Sequence, residues 1–480
     1  MRSVLLATLL LGCSLHAADS QEQLNKLNVV ALDSHGQPVT DLTAADFQVL
    51  DEGKPQQIVW FRFAPGKTAQ TALAAREYSN RSTPPRFAIA ILFDMLNDRI
   101  LGDAVVRTEI VDALKNLESA DNLYLYLLSP RGELFPVHPL PRPDTDAPTD
   151  TEPWTRQIAP ILDQALKPFV GFHPIDELDI KNRYEQTLNA LKDLGGNMTE
   201  VSGPKYLIWV THGFPIYGYS MSLRSRVDFT VPLRDFYQRL QLSQILLYPV
   251  DQSRRGAGAN PVTYSTQTLE EASEITGGRR LTSDRVNDAI TQTLVDARAD
   301  YEIAYQIPVP SKPDSKKRHK LHITTSRKDV HLSFPEAYYI LPPVSSENLE
   351  RNALERTIHS PFAATDIGVR ASLAPSDDPK NVTLNVLVDP ADLLLHKSGD
   401  NHAGRVELLV AGYDANGFLQ ASKPASFDLN LTPQQFEAAS RAGLTLRQAL
   451  SVNDAFKSMR VIVYDPALNV AGSVRVPLKP

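Results

Sequence analysis

Between Phe87 and Asp300 the chain alternates fully apolar runs of strand length with segments whose apolar residues recur at helical spacing. The runs are "FAIAILF", "NLYLYLLS" (Asn122 to Ser129), "YLIWV" (Tyr206 to Val210) and "QILLYPV". Between and after them come Leu101, Val105, Ile110, Leu114 and Leu117 at helical spacing, then "YEQTLNALKDL", a helix near Leu233 to Leu240, "LEEASEIT" and "VNDAITQTLVDARADY". A strand that is apolar at every position needs cover on both of its faces. The arrangement that supplies it is a mostly parallel sheet between two helical layers, a doubly wound α/β domain over residues 86–300. A Pro- and Asp-rich stretch from Pro139 to Pro153 reads as an insertion in it.

On either side the pattern changes to short strands. From Leu27 to Phe63, Val29 with Ala31, Phe47 with Val49 and Ile58 with Trp60 alternate, split by the turn segments "SHGQP" and "DEGKP". After Asp300, "YEIAYQIP", "HKLHITTSR" and "VHLSFPEAYYI" read as strands. The last two are expected to form a hairpin at Lys328 and Asp329, with Leu321, Ile323 and Thr325 sharing a face with Leu332 and Phe334, and His322 and His331 on the wetter face. Strands at 22–65 are too few to close a core alone, as are those at 301–342. One β-sandwich built from both, with the α/β domain inserted, satisfies the two sets together. Pro65 to Pro85 reads as a linker rich in Ala, Ser, Thr and Pro. Residues 360–480 repeat short strands and read as a second sandwich, immunoglobulin-like or fibronectin-like, with a helical insert from Leu431 to Leu450.

A chain of 480 residues is too long for one core, and 42% apolar with 22% charged residues is ordinary globular composition. The net charge of −7 gives no basic field, so a nucleic-acid role lacks electrostatic support. The strong basic run, Lys316 to Lys320, reads as a solvated hairpin edge. Residues 1–17 have one Arg, a short apolar core and small residues at Ala17 and Ala18, the pattern of a secretory signal peptide. The single cysteine, Cys13, lies in "LLGC", which resembles a bacterial lipobox. Two outcomes stay open, cleavage after Ala17 or acylation of Cys13, and the membrane is a partner only in the second. Either way the location is extracytoplasmic, no stretch is long and apolar enough for a transmembrane helix, and the folded part has no disulfide.

In order, "DSHGQPVTDLTAADFQVLDEGKPQQIVWF", "ILFDMLND", "LIWVTHGFP", "ILLYPVD", "EEASEITGGRRL" and "DARADYEIAYQIP" resemble the exported bacterial proteins with a von Willebrand factor A-related domain. The resemblance implies the fold and an extracytoplasmic place. In the wider family the first strand ends in Asp-x-Ser-x-Ser, further loops add a Thr and an Asp, and a divalent cation held there accepts a carboxylate from a protein ligand. Here Asp94 keeps the first aspartate, while Leu96 and Asp98 stand at the serine positions. His212, in "THGFP", replaces the last aspartate, and Thr199 in "GGNMT" is the nearest threonine. Three readings follow: Asp94 as a strand-end hydrogen-bond acceptor with Asn97 or Asp98 capping a helix from near Ile100; a weakened Mg²⁺ site; or a site turned toward another divalent metal by Asp94, Asp98 and His212. Gly277 or Gly278 in "TGGRR" reads as a left-handed helix cap. The leading functional expectation is a non-enzymatic exported protein-binding or adhesion module with no resident cofactor. Its partner is an unidentified envelope or extracellular macromolecule. The alternative is a metal-dependent hydrolase on Asp94, Asp98 and His212. The chain has no HExxH, no phosphate-cradling Gly loop and no serine elbow.

Overall fold

The computed structural model describes residues 21–65, 73–81, 87–97, 103–115, 122–141, 158–167, 180–214, 217–220, 225–252, 263–281, 285–309, 314, 316–375, 381–414, 419–421, 424–451 and 456–478. Residues 1–17, Cys13 and Asp98 lie outside them, as does the expected helix start at Ile100; the described helix is Asp103–Lys115. The chain is mixed α/β and rich in strands, which form several sheets.

The central sheet runs Ile245–Asp251, Lys205–Thr211, Ala88–Asp94, Leu123–Leu128, Leu134–His138. The first four are mutually parallel and the last, an edge strand, is antiparallel. Every residue of Ala88–Asp94 is buried, and alternation divides them between two cores. Ala88, Ala90 and Leu92 meet Leu191, Leu194, Leu233, Phe236 and Ile275, so helices Ile180–Met198, Thr230–Leu242 and Thr263–Thr276 cover that face. Ile89, Ile91 and Phe93 meet Ile110, Leu114, Leu162, Val286 and Ile290 on Asp103–Lys115, Ile158–Leu166 and Val286–Ala297. Gly277 ends its helix at φ +78°, its N–H on Ser273 O at 2.9 Å.

Strand Gln21–Asp33 pairs antiparallel with Asp300–Val309, from Gln21 opposite Val309 to Val30 opposite Asp300, and Asp300–Val309 pairs in turn with Ile58–Phe63. A second sheet places Arg318–Thr325 between Phe47–Asp51 and Ala337–Tyr339. Val29, Phe47, Val49, Tyr301, Ile303, Leu321 and Ile323 fill the space between. The expected hairpin at Lys328 and Asp329 is not formed. Val330–Ser333 pairs with Gln21–Asp33 in the first sheet, so the chain changes sheet at this corner. Alternation is the same on both sides of such a corner, and Ser326 N–H bonds Asp46 O at 2.9 Å to turn it. The basic run is also more than a wet edge: Arg318 pairs with Glu271 and Glu274 of a covering helix.

In the C-terminal region, Val369–Pro375, Asn381–Val388 and Leu444–Ser451 face a sheet centred on Asn401–Asp414 and Phe456–Asp465. Two expectations change here. The stretch read as a linker contributes Glu77–Ser79, which pairs with Val369–Pro375. Buried Asn80 fixes it by donating to Ala364 O and Ile367 O and accepting from Val369 N–H, a side-chain device that leaves no alternation to read. The Leu431 to Leu450 insert is helical over Pro433–Ala442 only and then becomes strand Leu444–Ser451. Helix Ser346–His359, capped by Ser345, packs near Leu409, Ile462 and Tyr464. Trp60 and Ala304 lie in the core of the C-terminal region, so the two β-regions share apolar contact.

Candidate functional site

Asp94 stands at the carboxyl end of the central strand, where open α/β sheets place ligands. Its side chain is buried and receives four donors. Asn97 N–H reaches Oδ1 at 3.1 Å; Asn97 Nδ2, Thr211 Oγ1 and Trp209 Nε1 reach Oδ2 at 2.7, 2.9 and 3.3 Å. Asn97 is therefore folded back on Asp94 rather than capping a helix. Its amide also donates to Thr187 Oγ1 at 2.8 Å, and Thr187 donates to Arg183 O at 3.0 Å, tying the strand end to helix Ile180–Met198. Thr211 accepts from Gly213 N–H at 3.2 Å and so orders the turn that follows the neighbouring strand. Burial pushes the Asp94 carboxyl above the usual aspartate range, and the bonds from Asn97, Thr211 and Trp209 pull it part of the way back.

Of the proposed ligand positions, Asp98 lies outside the described residues. Leu96 is fully buried in the core beneath the Ile180–Met198 helix. Thr199 lies just past the far end of that helix, half-buried, donating to Gly196 O at 2.6 Å. Thr187 is the threonine that reaches the strand end. His212 follows Thr211, half-buried, and is not among the donors on Asp94. Among the described residues no group of three or more His, Cys, Asp or Glu could hold a metal ion. Among the described residues the donor set does not fit Mg²⁺: its octahedral shell wants several free oxygens, whereas both Asp94 oxygens already accept N–H or O–H groups. In this cluster the Asn97 carbonyl oxygen is buried without a hydrogen-bond partner among the described residues, and one amide oxygen does not make such a shell.

Asn97 stands out in the sequence only as a candidate helix cap, and Thr187, Thr211 and Trp209 do not stand out as partners of Asp94. Thr211 alone left a signal, a hydroxyl ending an apolar strand just before His212.

No protein-family model and no curated protein matches the chain. Among solved structures it is similar, at 10% identity and a TM-score of 0.27, to the pilus adhesin SpaC from Lactobacillus rhamnosus GG, over 84% of this chain and 57% of that one. The chain thus spans a little over half of that adhesin's length. Among the described residues no helix is long and apolar enough to cross a membrane.

Proposed function

We propose that the protein is an exported, non-enzymatic binding or adhesion protein in which a von Willebrand factor A-like domain, residues 86–300, is inserted in a β-sandwich formed by 22–65 and 301–342 and followed by a second sandwich at 360–480. The order of the central sheet supports this reading. Counted along the domain, the strands lie fifth, fourth, first, second, third, with the winding direction changing at the first, as in doubly wound folds. Residues 1–17 serve as the export signal, with Cys13 either cleaved away or lipidated.

The observation that carries the binding reading is the closed shell of Asp94. Where the resembling family holds a cation for its partner, four internal donors occupy the carboxylate. The strand end then works as a latch joining the first strand, its neighbour and a helix, and recognition falls to other surfaces. Calorimetric titration with Mg²⁺, Mn²⁺ and Zn²⁺ tests it. No heat of binding is expected; micromolar binding abolished by Asp94→Ala, or Zn²⁺ binding lost in His212→Ala, overturns it. Cross-linking in the native envelope then identifies the partner.

A further inference from the structure

A cleft of about 890 Å³ opens where the central domain, the first sandwich, helix Ser346–His359 and the C-terminal region meet. One wall is the run Gln23, Leu24, Asn25 and Lys26. Side chains of successive strand residues point to opposite faces, so four consecutive residues line one cavity only if the strand presents its edge to it. The registers agree. Gln21–Asp33 is paired along Gln21 to Val30 on one edge, while its other edge meets a described strand only from Val30 to Asp33.

The direction of the backbone follows from one bond. Ala31 N–H donates to Ala299 O at 3.0 Å on the paired side, so odd-numbered residues of this unbulged strand turn inward to the ladder. Leu24, Lys26 and Asn28 therefore turn their N–H and C=O groups to the open edge. The edge of Ala337–Tyr339, beside the same cleft, is closed differently. Gln241 donates its Nε2 to Tyr339 O at 3.1 Å and accepts Tyr339 N–H at 3.0 Å, occupying it as a strand would.

The cleft also holds cations. Lys205 is 8% exposed, and its Nζ donates to Gly203 O at 3.0 Å, with no carboxylate at ion-pair distance among the described residues. Arg356 lines the same space and is likewise without an ion pair there. Of the acids present, Asp366 is taken by Gly203 N–H at 3.0 Å and by Arg62 at 3.6 Å, while Glu200 lies in the field of Arg356 and His359. Burial, with repulsion from Lys26 and Arg356 added and attraction from Asp366 and Glu302 opposing, pushes the Lys205 ammonium down to about 8. A carboxylate beside it relieves that cost.

We propose that this cleft docks an extended acidic segment of a partner protein, which adds a strand to the open edge at Leu24 and Lys26 and places a carboxylate between Lys205 and Arg356. Main-chain pairing supplies the affinity and the two cations select the side chain. The proposal rests on reading the chain as a binding protein.

Panning a random dodecapeptide display library on the full chain tests it. The peptides selected should carry an acidic residue and slow amide exchange at Leu24 and Lys26. They should bind at least tenfold more weakly to Lys205→Met and to Arg356→Gln, the second of which changes an exposed helix position and leaves folding intact. Methylating alternate peptide nitrogens should abolish binding. No enrichment, equal binding to both variants with unchanged exchange, or a cleft that takes sugars from an oligosaccharide array instead, overturns the proposal. If envelope cross-linking captures the same partners with wild type and with Lys205→Met, the binding reading stands and this site falls.

Discussion

At the end of the central sheet Asp94 is buried among neutral donors drawn from nearby segments, whereas at the contact between the two β-regions Arg62 is buried among carboxylates. Arg62 Nε donates to Glu302 at 2.8 Å, and the guanidinium lies 3.6 Å from Asp366 and 3.6 Å from Asp392, which also pairs with Arg81. Lys26 reaches Glu302 at 3.6 Å. Burial by itself would lower the Arg62 guanidinium, but Glu302, Asp392 and Asp366 more than offset it and hold it above its ordinary value. The two regions teach that this fold handles buried charge in two ways. Neutral donors share the load in small parts, while an ion cluster stands or falls together.

The largest expected effect tests the cluster. Arg62→Met keeps an apolar stem but removes the guanidinium from the face of Trp60 and leaves Glu302 and Asp392 without their shared partner, and should lower unfolding free energy by about 3 to 5 kcal/mol. Denaturant unfolding measures it. A loss below about 1 kcal/mol would mean that the cluster does not hold the two β-regions together. Adding Glu302→Gln to Arg62→Met should restore part of the loss, because the two sites share one interaction.

Asp94→Ala is the counterpart. It leaves the Thr211 hydroxyl and the Asn97 amide short of an acceptor and should cost about 1 to 3 kcal/mol, equally with Mg²⁺ or with chelator. A chelator effect seen in wild type and absent from the variant would break the contrast drawn here, since Asp94 would then be holding a cation.

These two regions also differ in how far they can be read from sequence. The central strands announce themselves because residues 88–94 are apolar on both faces, and Asp94 stands out as the charge that ends the run. Its partners on the neighbouring strand do not, because Trp209 and Thr211 reach it only through tertiary packing. The Arg62 cluster is less legible still. It joins positions 62, 302, 366 and 392, and no local period links an Arg on one strand to acids 240 or more residues away. The corner at Lys328 is hidden for a related reason: alternation tells which face is buried but not which sheet a strand joins. Glu77–Ser79 hid in a polar stretch because Asn80, not an apolar face, docks it.

Asp300 stands between the two regions and sharpens the comparison. Its Oδ2 accepts from Tyr206 Oη at 2.7 Å and Asn28 Nδ2 at 2.8 Å, linking the central sheet to the first sandwich, while Oδ1 is buried with no hydrogen-bond partner among the described residues. Burial pushes the carboxyl up to about 8, against the pull of those two bonds and with Glu302 adding repulsion. A raised acid pKa means that the folded state holds a proton the unfolded chain has released. Its contribution to stability is intact below about pH 4 and falls as pH climbs toward 8. Asp300→Asn should therefore flatten this part of the pH profile and raise stability at pH 8 by about 1 kcal/mol or more, with the gain vanishing near pH 4. Thermal unfolding at a series of pH values measures it, and an unchanged slope would mean that the two donors on Oδ2 are enough to keep the Asp300 carboxylate charged.

The smallest effect belongs to a charge pair that is not buried. Arg318 Nη2 donates to Glu274 at 2.8 Å, and Nη1 lies 3.4 Å from Glu271, with the Arg318 and Glu274 side chains 36% and 42% exposed. The contacts are as close as those of Arg62, so distance does not separate the two cases; solvent does. Water screens the exposed pair, and ordering two long side chains offsets much of the remaining attraction. Arg318→Ala should cost less than about 1 kcal/mol, and the loss should shrink further in molar salt, where Arg62→Met keeps most of its effect. Measuring both variants at low and high salt isolates burial as the cause. Equal losses with equal salt dependence would show instead that the Arg62 cluster is solvated, and the distinction between the two ways of burying charge would have to be drawn elsewhere.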